Sequence, residues 1–333
     1  MFVAVCIGHY RDSYKGGGMI VAAPLRASVI VPTWCRRRSL RRLLFSIRRQ
    51  SIADQLEIIV ADSASPDGTA ELLQRFSRRI MPVRMIQSEN SPAAKRNAGA
   101  RVARSRILLF FDDDMYLDDH RVLETFLTEL EASSGPLCFR VSYPYEWCRK
   151  STYYQFKQLG HDRTNAGCGP MEPWRFVSMA FGIRAEQFGQ VGAFDESYKT
   201  YGCEDHAFEF ALRANGMIPF LSEKASALHM EDSRTFLAYR EKLVTTAART
   251  MPVLIGSWPL AREHGGVGLM ESRPVRVLVR MMPHGVVVLL SKTVARILDN
   301  WPAAGSRRLF SPLTRLFMMA AYVEGMSLRG RRA

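Results

Sequence analysis

Apolar and polar residues alternate in short blocks along the first third of the chain, and each block carries the period of one element. "ASVIVPTW" (27–34) is an apolar, β-branched run ending at Pro32, which predicts a buried strand. In "SLRRLLFSIRRQS", Leu40, Leu43, Leu44 and Ile47 recur at helical spacing behind Ser39, a residue able to cap the helix. "LEIIVADSASPDGT" reads as a second strand running into an acidic, serine-rich turn, and "AELLQRFSRR" as a second helix. "VRMIQSE", "PAAKRNAGARVA" and "RILLFFDDD" continue the alternation as strand, helix and fully buried strand. Residues 27 to 114 therefore predict a largely parallel sheet with helices on both faces. Such sheets bind ligands beyond the carboxyl ends of their strands, where Thr33, Asp62 and Asp112 to Asp114 fall.

After a helix over 120–132, with Asp118 and Asp119 as first-turn or capping acids, the pattern weakens. "SYPYEWCRKSTYYQFKQLGHDRTNAGCGPMEPWRF" is aromatic and polar, a composition that suits a substrate-facing region better than a core. Regularity returns with "VSMAFGIRAEQFGQVGAFDESY" and the helix "GCEDHAFEFALRANG", whose Phe208, Ala211 and Leu212 share a stripe ending at Gly216. "IPFLSEKASALHM" is strand-like and ends at His229. Beyond 235 the chain reads as helical: "VVVLLSKTVARILD" places Val286, Leu289, Leu290, Val294 and Ile297 on one face, with Lys292 and Arg296 off it.

Charge changes this picture. Lys and Arg number 46 against 32 Asp and Glu, a formal charge of +14 that favours phosphate-bearing partners without choosing among nucleotides, nucleic acid and anionic lipid. In such a basic chain a triple aspartate at the end of a buried strand needs compensation, because three like charges raise one another's pKa unless a cation is near. Hard carboxylate oxygens suit Mg2+ or Mn2+, and on an extended chain Asp112 and Asp114 would face one site while Asp113 faced the other way. Glu204 and Asp205 form a second acid pair, opening a helix where negative charge is favoured. The six cysteines contain no C-x-x-C pair and follow no secretory signal, which predicts reduced, cytosolic thiols rather than a zinc site. The start, residues 1–26, reads as an extension in which Met19 is an alternative initiator. No stretch reaches the roughly 18 to 20 uninterrupted apolar residues of a spanning helix; "MMPHGVVVLLS" comes nearest and is interrupted by Pro283, His284 and Gly285.

Five segments, "SVIVPTW", "IIVADSASPDGT", "AAKRNAGARVA", "ILLFFDDDM" and "VGAFDESYKTYGCEDHAFEFALRANG", in this order and spacing, resemble an inverting family 2 glycosyltransferase. The resemblance spans residues 27 to 232 and implies a GT-A fold, a Rossmann-like αβα sandwich, here with a helical C-terminal extension. It implies a catalytic domain over 27–235, with a nucleotide-binding half to 119 and an acceptor-binding half beyond it, followed by a basic helical region over 236–333. By resemblance, Pro32 and Thr33 line the nucleobase pocket and Asp62 matches the first acid of a D-D-G-S turn, with Ser63 and Ala64 where the family has acid and glycine. Lys95, Arg96 and Asn97 match an A-R-N-x-G helix start that reaches the nucleotide, and Asp112 and Asp113 complete the donor-binding set. Asp114 resembles the direct metal ligand, Asp112 and His229 its companions on Mg2+ or Mn2+, and Asp205 the general base, with Glu204 beside it at the acceptor.

The activity so implied is transfer of a sugar from a nucleotide-diphosphate donor, UDP-linked by preference, to an acceptor hydroxyl on a glycan, a lipid-linked chain or a small molecule. Processive members carry a Q-x-x-R-W motif and several spanning helices; the sequence has neither, so transfer of one or few sugars is expected. The basic, amphipathic helices after 236 suit an anionic membrane surface, so a cytoplasmic or peripheral membrane location is expected. Two rivals predict other features. A sugar-nucleotide nucleotidyltransferase would open with a glycine-rich phosphate loop, which "SVIVPTWCRRR" lacks, and a nucleic-acid binder would interleave aromatics with its arginines and need no metal acids. The cluster "CRRRSLRRLLFSIRRQ" is explained instead as one leucine face and one solvated arginine face, and no nucleic-acid partner is expected.

Overall fold

The computed structural model describes residues 24–231, 234–263, 266–303 and 307–329. Residues 1–23 and the "GRRA" end of the tail, with whatever extension or start site they hold, lie outside the described residues. The first half alternates as its pattern predicts: β1 (Ala27–Thr33), α1 (Arg37–Arg48), β2 (Leu56–Asp62), α2 (Thr69–Arg79), β3 (Val83–Gln87), α3 (Pro92–Val102) and β4 (Ile107–Phe111). These four strands are parallel in the order β3-β2-β1-β4, with Thr33 in register against Asp62 and Ile30 against Phe110. The chain steps outward from β1 to β3 and then crosses back to β4, so the switch in direction opens a crevice between β1 and β4 at their carboxyl ends. Gly99 lets α3 close on the sheet there, since a Cβ would stand 2.4 Å from Ile30 Cγ2.

Leu40, Leu43, Leu44 and Ile47 of α1 are fully buried, as their spacing predicts. Ser39 does not cap the helix. α1 begins two residues earlier, and the N–H of Arg37 donates to Asp67 Oδ2 at 2.9 Å, so a loop carboxylate from beyond β2 does the capping. That early start decides which arginine reaches the crevice.

The sheet continues past β4 through β5 (Met115–Tyr116), α4 (Val122–Ala132), β6 (Leu137–Ser142), α5 (Tyr145–Lys150), α6 (Thr152–Thr164), β7 (Gly169–Pro170), β8 (Ala180–Arg184), α7 (Ala185–Val191), α8 (Glu204–Ala214) and β9 (Phe220–His229). β8 runs antiparallel to β4 and the order closes as β4-β8-β6-β9-β5, so the sheet is mixed. One core layer lies under α1, α2 and α4; the other is aromatic, with Phe194 and Phe208 stacked at 4.2 Å. The aromatic stretch after 142 is divided. Tyr143, Tyr153 and Tyr154 are buried in a shared cluster with Phe236 and Phe317 and bind the C-terminal helices to the sheet domain, whereas Tyr145 is exposed.

That C-terminal region consists of α9 (Phe236–Thr245), a π turn over Thr246–Thr250, α10 (Met251–Ser257), α11 (Val267–Met270), α12 (Arg273–Met281), α13 (His284–Asp299) and α14 (Arg307–Arg329). Asp299 accepts the N–H of Phe236 at 2.6 Å, and the buried Arg240 ties Ser291 of α13 (2.8 Å) to Glu324 of α14. The stripe expected on α13 is divided. Val294 packs inward with Val287, Ser291, Ala295 and Leu298, whereas Val286, Leu289, Leu290 and Ile297 face solvent. No single described helix is long and apolar enough to cross a membrane. The five cysteines within the described residues are unpaired.

Candidate active site

β4 delivers its acids to the mouth of the crevice. An extended chain would send Asp112 and Asp114 one way and Asp113 the other, but β4 stops at Phe111 and residues 113 and 114 form a turn, closed by the Met115 N–H on the Asp112 carbonyl at 3.1 Å. The expected alternation therefore fails. Asp113 and Asp114 converge on the guanidinium of Arg36, at 3.5 Å from Asp113 and closer to Asp114, while Asp112 turns aside to Arg96 Nη2 at 2.8 Å. Thr33 at the end of β1 donates to Asp113 Oδ2 at 2.7 Å.

Electrostatics separates the two buried neighbours. Burial and the adjacent Asp114 push Asp113 up to about 8, against the pull of Arg36. For Asp114 burial also opposes charge, but His229 and Arg36 more than offset it and hold the carboxyl below the usual range. His229 ends β9 with Nε2 3.5 Å from Asp114 Oδ1 and Nδ1 3.3 Å from His161 Nε2, under the stacked ring of Tyr143 at 4.8 Å. Burial and His229 depress His161 to about 3, so its imidazole is neutral.

The second acid pair faces the first across Arg96, which is 3% exposed. Its Nη1 lies 3.4 Å from Glu204 Oε1, and its guanidinium stands over the Phe194 ring at 5.2 Å from the centroid. Burial opposes the charge on Arg96, but Asp112 and Glu204 more than offset that and leave its pKa raised. Glu204 is pushed up to about 7 by burial and by Asp205, with Arg96 opposing. Both Glu204 oxygens are engaged, one by Arg96 and the other by the Gly202 N–H at 3.1 Å. Asp205, half-buried, accepts only the His206 N–H on Oδ1 at 3.0 Å, so among the described residues its Oδ2 has no partner.

One cavity of about 350 Å3 lies between the two acid clusters, lined by Pro32, Thr33, Lys95, Arg96, Asp112 to Asp114, Glu204 and His229 of the expected set; Asp205 stands beside Glu204 and is not among its lining residues. Burial lowers the pKa of Lys95, Asp62 and Asp113 oppose the shift, and its Nζ bonds Asn90 Oδ1 at 2.9 Å. Two expected donor-binding residues are elsewhere. Asn97 spends its amide on Phe194 O (2.8 Å), Phe194 N (3.0 Å) and Glu196 (2.9 Å), fastening α3 to the loop before α8. Asp62 is buried, and both of its oxygens are taken by Ser65, through its N–H (2.8 Å) and its hydroxyl. Ala64 in that turn has φ +56°, the left-handed backbone that a glycine would adopt without strain.

The cavity also holds residues that sequence reasoning passed over: Trp34, Arg36, Lys157, Tyr201, Glu231 and Lys242. Glu231 is paired with Lys242 at 2.9 Å and bonded by Tyr143 at 3.3 Å; burial opposes its charge, yet Lys242 and His229 hold it down to about 2. Arg36 could not be told from its neighbours in an arginine run, and Lys157 and Lys242 come from helices with no motif of their own.

On the chemistry of the donor set, the Asp114 carboxylate suits Mg2+ or Mn2+, with substrate phosphates and water completing the shell, whereas the His229 imidazole suits a transition metal such as Mn2+ better than the oxygen-seeking Mg2+. Asp112, expected beside them, is instead bound to Arg96, and among the described residues no three His, Cys, Asp or Glu side chains gather as a metal group.

A mixed sheet with acids at the switch of strand direction and a facing acid pair defines a GT-A architecture. The solved mannosyltransferase PcManGT from Pyrobaculum calidifontis, in complex with GDP-Man and Mn2+, shares this fold at a TM-score of 0.56 and 18% identity, over 93% of this chain and 88% of that one. The sequence model of Glycosyl transferase family 2 matches residues 28–192, just under half of the chain, which is similar to that family over this span. Validoxylamine A glucosyltransferase of Streptomyces hygroscopicus subsp. jinggangensis is 22% identical over 254 residues, which cover 67% of this chain and 59% of that protein. The chain thus spans about three fifths of that relative. A GalNAc(5)-diNAcBac-PP-undecaprenol beta-1,3-glucosyltransferase of Campylobacter jejuni subsp. jejuni is 34% identical over 92 residues, 27% of this chain and 29% of that one.

Proposed function

We propose that this chain transfers a single sugar from a nucleotide-diphosphate donor to an acceptor hydroxyl, inverting the anomeric configuration. One observation carries the reading: the Asp112–Asp114 turn and Glu204, the chain neighbour of Asp205, meet around one cavity, joined through Arg96. Asp205 is the base of the pair, because a base needs a free lone pair and only its carboxylate has an oxygen without a partner among the described residues. It takes the proton of the acceptor hydroxyl as that oxygen bonds to the anomeric carbon from the face opposite the diphosphate. The sugar–oxygen bond breaks, and its electron pair leaves with the nucleoside diphosphate. Arg96, Lys95, Lys157 and Lys242 face the cavity and neutralise charge growing on the leaving group.

A divalent cation, Mg2+ or Mn2+, held by Asp114 and His229, would add Lewis-acid stabilisation of the diphosphate. Trp34, half exposed at the cavity mouth, offers a flat face to the nucleobase beside Pro32 and Thr33. The candidate donors are the UDP-linked sugar that the resemblance implies and the GDP-linked sugar that PcManGT binds, and the names of the glucosyltransferase relatives support a lipid-linked or small-molecule acceptor. A panel of both donor types with Mn2+, scored by nucleoside diphosphate release, tests the reading beside Asp114→Asn and Asp205→Asn. Loss of release in both variants is expected; full activity in both overturns it.

A further inference from the structure

We infer that the outer face of α12 and α13 docks on an anionic lipid bilayer, lying in the plane of the headgroups. α13 has two apolar stripes, and the inner one, Val287, Val294, Ala295 and Leu298, is already buried. The outer one therefore has no protein partner within the described chain: Leu289 is 65% exposed, and Val286, Leu290 and Ile297 lie open beside it. α12, the helix just before it, likewise exposes Val277, Leu278 (59%) and Met281 (77%). Large apolar side chains this open in one contiguous pair of helices mark an interaction surface rather than the scattered exposure of an ordinary surface.

Charge selects the occupant. Arg273, Arg276, Arg280, Lys292 and Arg296 are exposed on the same two helices. The one acid between residues 273 and 299 is Asp299, and its carboxylate is spent on the N–H groups of Phe236 and Leu237 at 2.6 and 3.2 Å. Glu271, just ahead of α12, lies within electrostatic reach of Arg276 and is itself paired with Arg329. Apolar side chains flanked by this excess of exposed cations match acyl chains beneath anionic headgroups. A second copy of this chain would bring its own arginines against these. Neither helix offers a straight span: α12 and α13 are long and apolar enough only when taken together, and they meet at 102°. At about 1.5 Å per residue neither helix alone covers a hydrocarbon core of about 30 Å.

Flotation of the full chain with vesicles tests this independently of any activity. The chain should float with phosphatidylcholine vesicles containing phosphatidylglycerol in 0.1 M salt, and lose binding in 0.5 M salt or on phosphatidylcholine alone. Arg276→Gln/Arg280→Gln should bind the anionic vesicles about 30-fold more weakly, from about 1 kcal/mol for each charge removed. Met281→Ser/Leu289→Ser should lose at least about tenfold. Arg149→Gln/Lys150→Gln, exposed cations on α5, should bind as the parent does, and unchanged thermal melting would show every variant folded. Failure of the parent to float, or equal loss in the α5 variant, overturns the inference. So does a parent dimer that Met281→Ser/Leu289→Ser converts to monomer with no vesicle binding, which would make the face a contact between copies.

Discussion

The two acid clusters of the cavity sit either side of Arg96 and are compensated in opposite ways. At the β4 turn the carboxylates meet resident cations before any ligand arrives: Arg36 bridges Asp113 and Asp114, His229 adjoins Asp114, and Arg96 takes Asp112. At the start of α8 Glu204 is held and its neighbour Asp205 keeps an oxygen without a partner among the described residues. Compensated acids make a receptor for positive charge, which enters by replacing one cation with another. An acid with a free oxygen can take a proton. The difference teaches that position along the chain matters less for these roles than which lone pairs remain unspent.

The sharpest way to break this comparison is Asp205→Asn, expected to lower nucleoside diphosphate release by about 10^2 to 10^4-fold with the fold intact, the range typical of a lost general base. If Glu204→Gln costs more than Asp205→Asn, the roles within the pair are exchanged. Next in size is Arg96→Met, which leaves the buried Glu204 without its counter-charge and should cost about 3–5 kcal/mol in urea unfolding. The third concerns pH. Glu204 holds its proton up to about 7 in the folded chain, above the ordinary value of 4.5, so the folded state binds more protons than the unfolded one between those values. Stability from this group is complete below about 4.5 and is lost as pH rises through 7. Glu204→Gln should remove that slope and melt higher than the parent at pH 8, by on the order of 1–3 kcal/mol. Smallest is Arg36→Gln, which removes the resident cation from Asp113 and Asp114. Mn2+ affinity, read by titration calorimetry in the absence of donor, should rise roughly tenfold, an electrostatic change of about 1.4 kcal/mol; unchanged affinity would mean that Arg36 does not compete for the carboxylates.

Much of this site was legible. The β-branched runs and the acids that end them predict a parallel sheet with carboxylates at its ligand edge, and Thr33, Arg96, Asp112 to Asp114, Glu204 and His229 do line one cavity. What could not be read is how those groups pair. Asp113 looked like the acid facing away, because strand alternation was assumed to continue through a segment that is a turn. Arg36 looked like one more solvated cation, and it reaches the acids because α1 starts at Arg37 on a cap supplied by Asp67, thirty residues on. Asn97 matched a motif, yet its amide is consumed by the loop at Phe194.

The sequence by itself determined the elements and the class of sheet they form, because side-chain period is fixed by local backbone geometry, and buried apolar strands must find their hydrogen-bond partners in neighbouring strands. Only the tertiary structure decided which of the two apolar stripes of α13 turns inward, and that Tyr143, Tyr153 and Tyr154 fill a core. Those outcomes depend on surfaces offered by α9 and α14, far along the chain, and a local period carries no information about what a distant helix will cover. The pairing of charges around Arg96 and Arg36 has the same origin: attraction acts through space between groups brought together by folding, and sequence distance does not measure it.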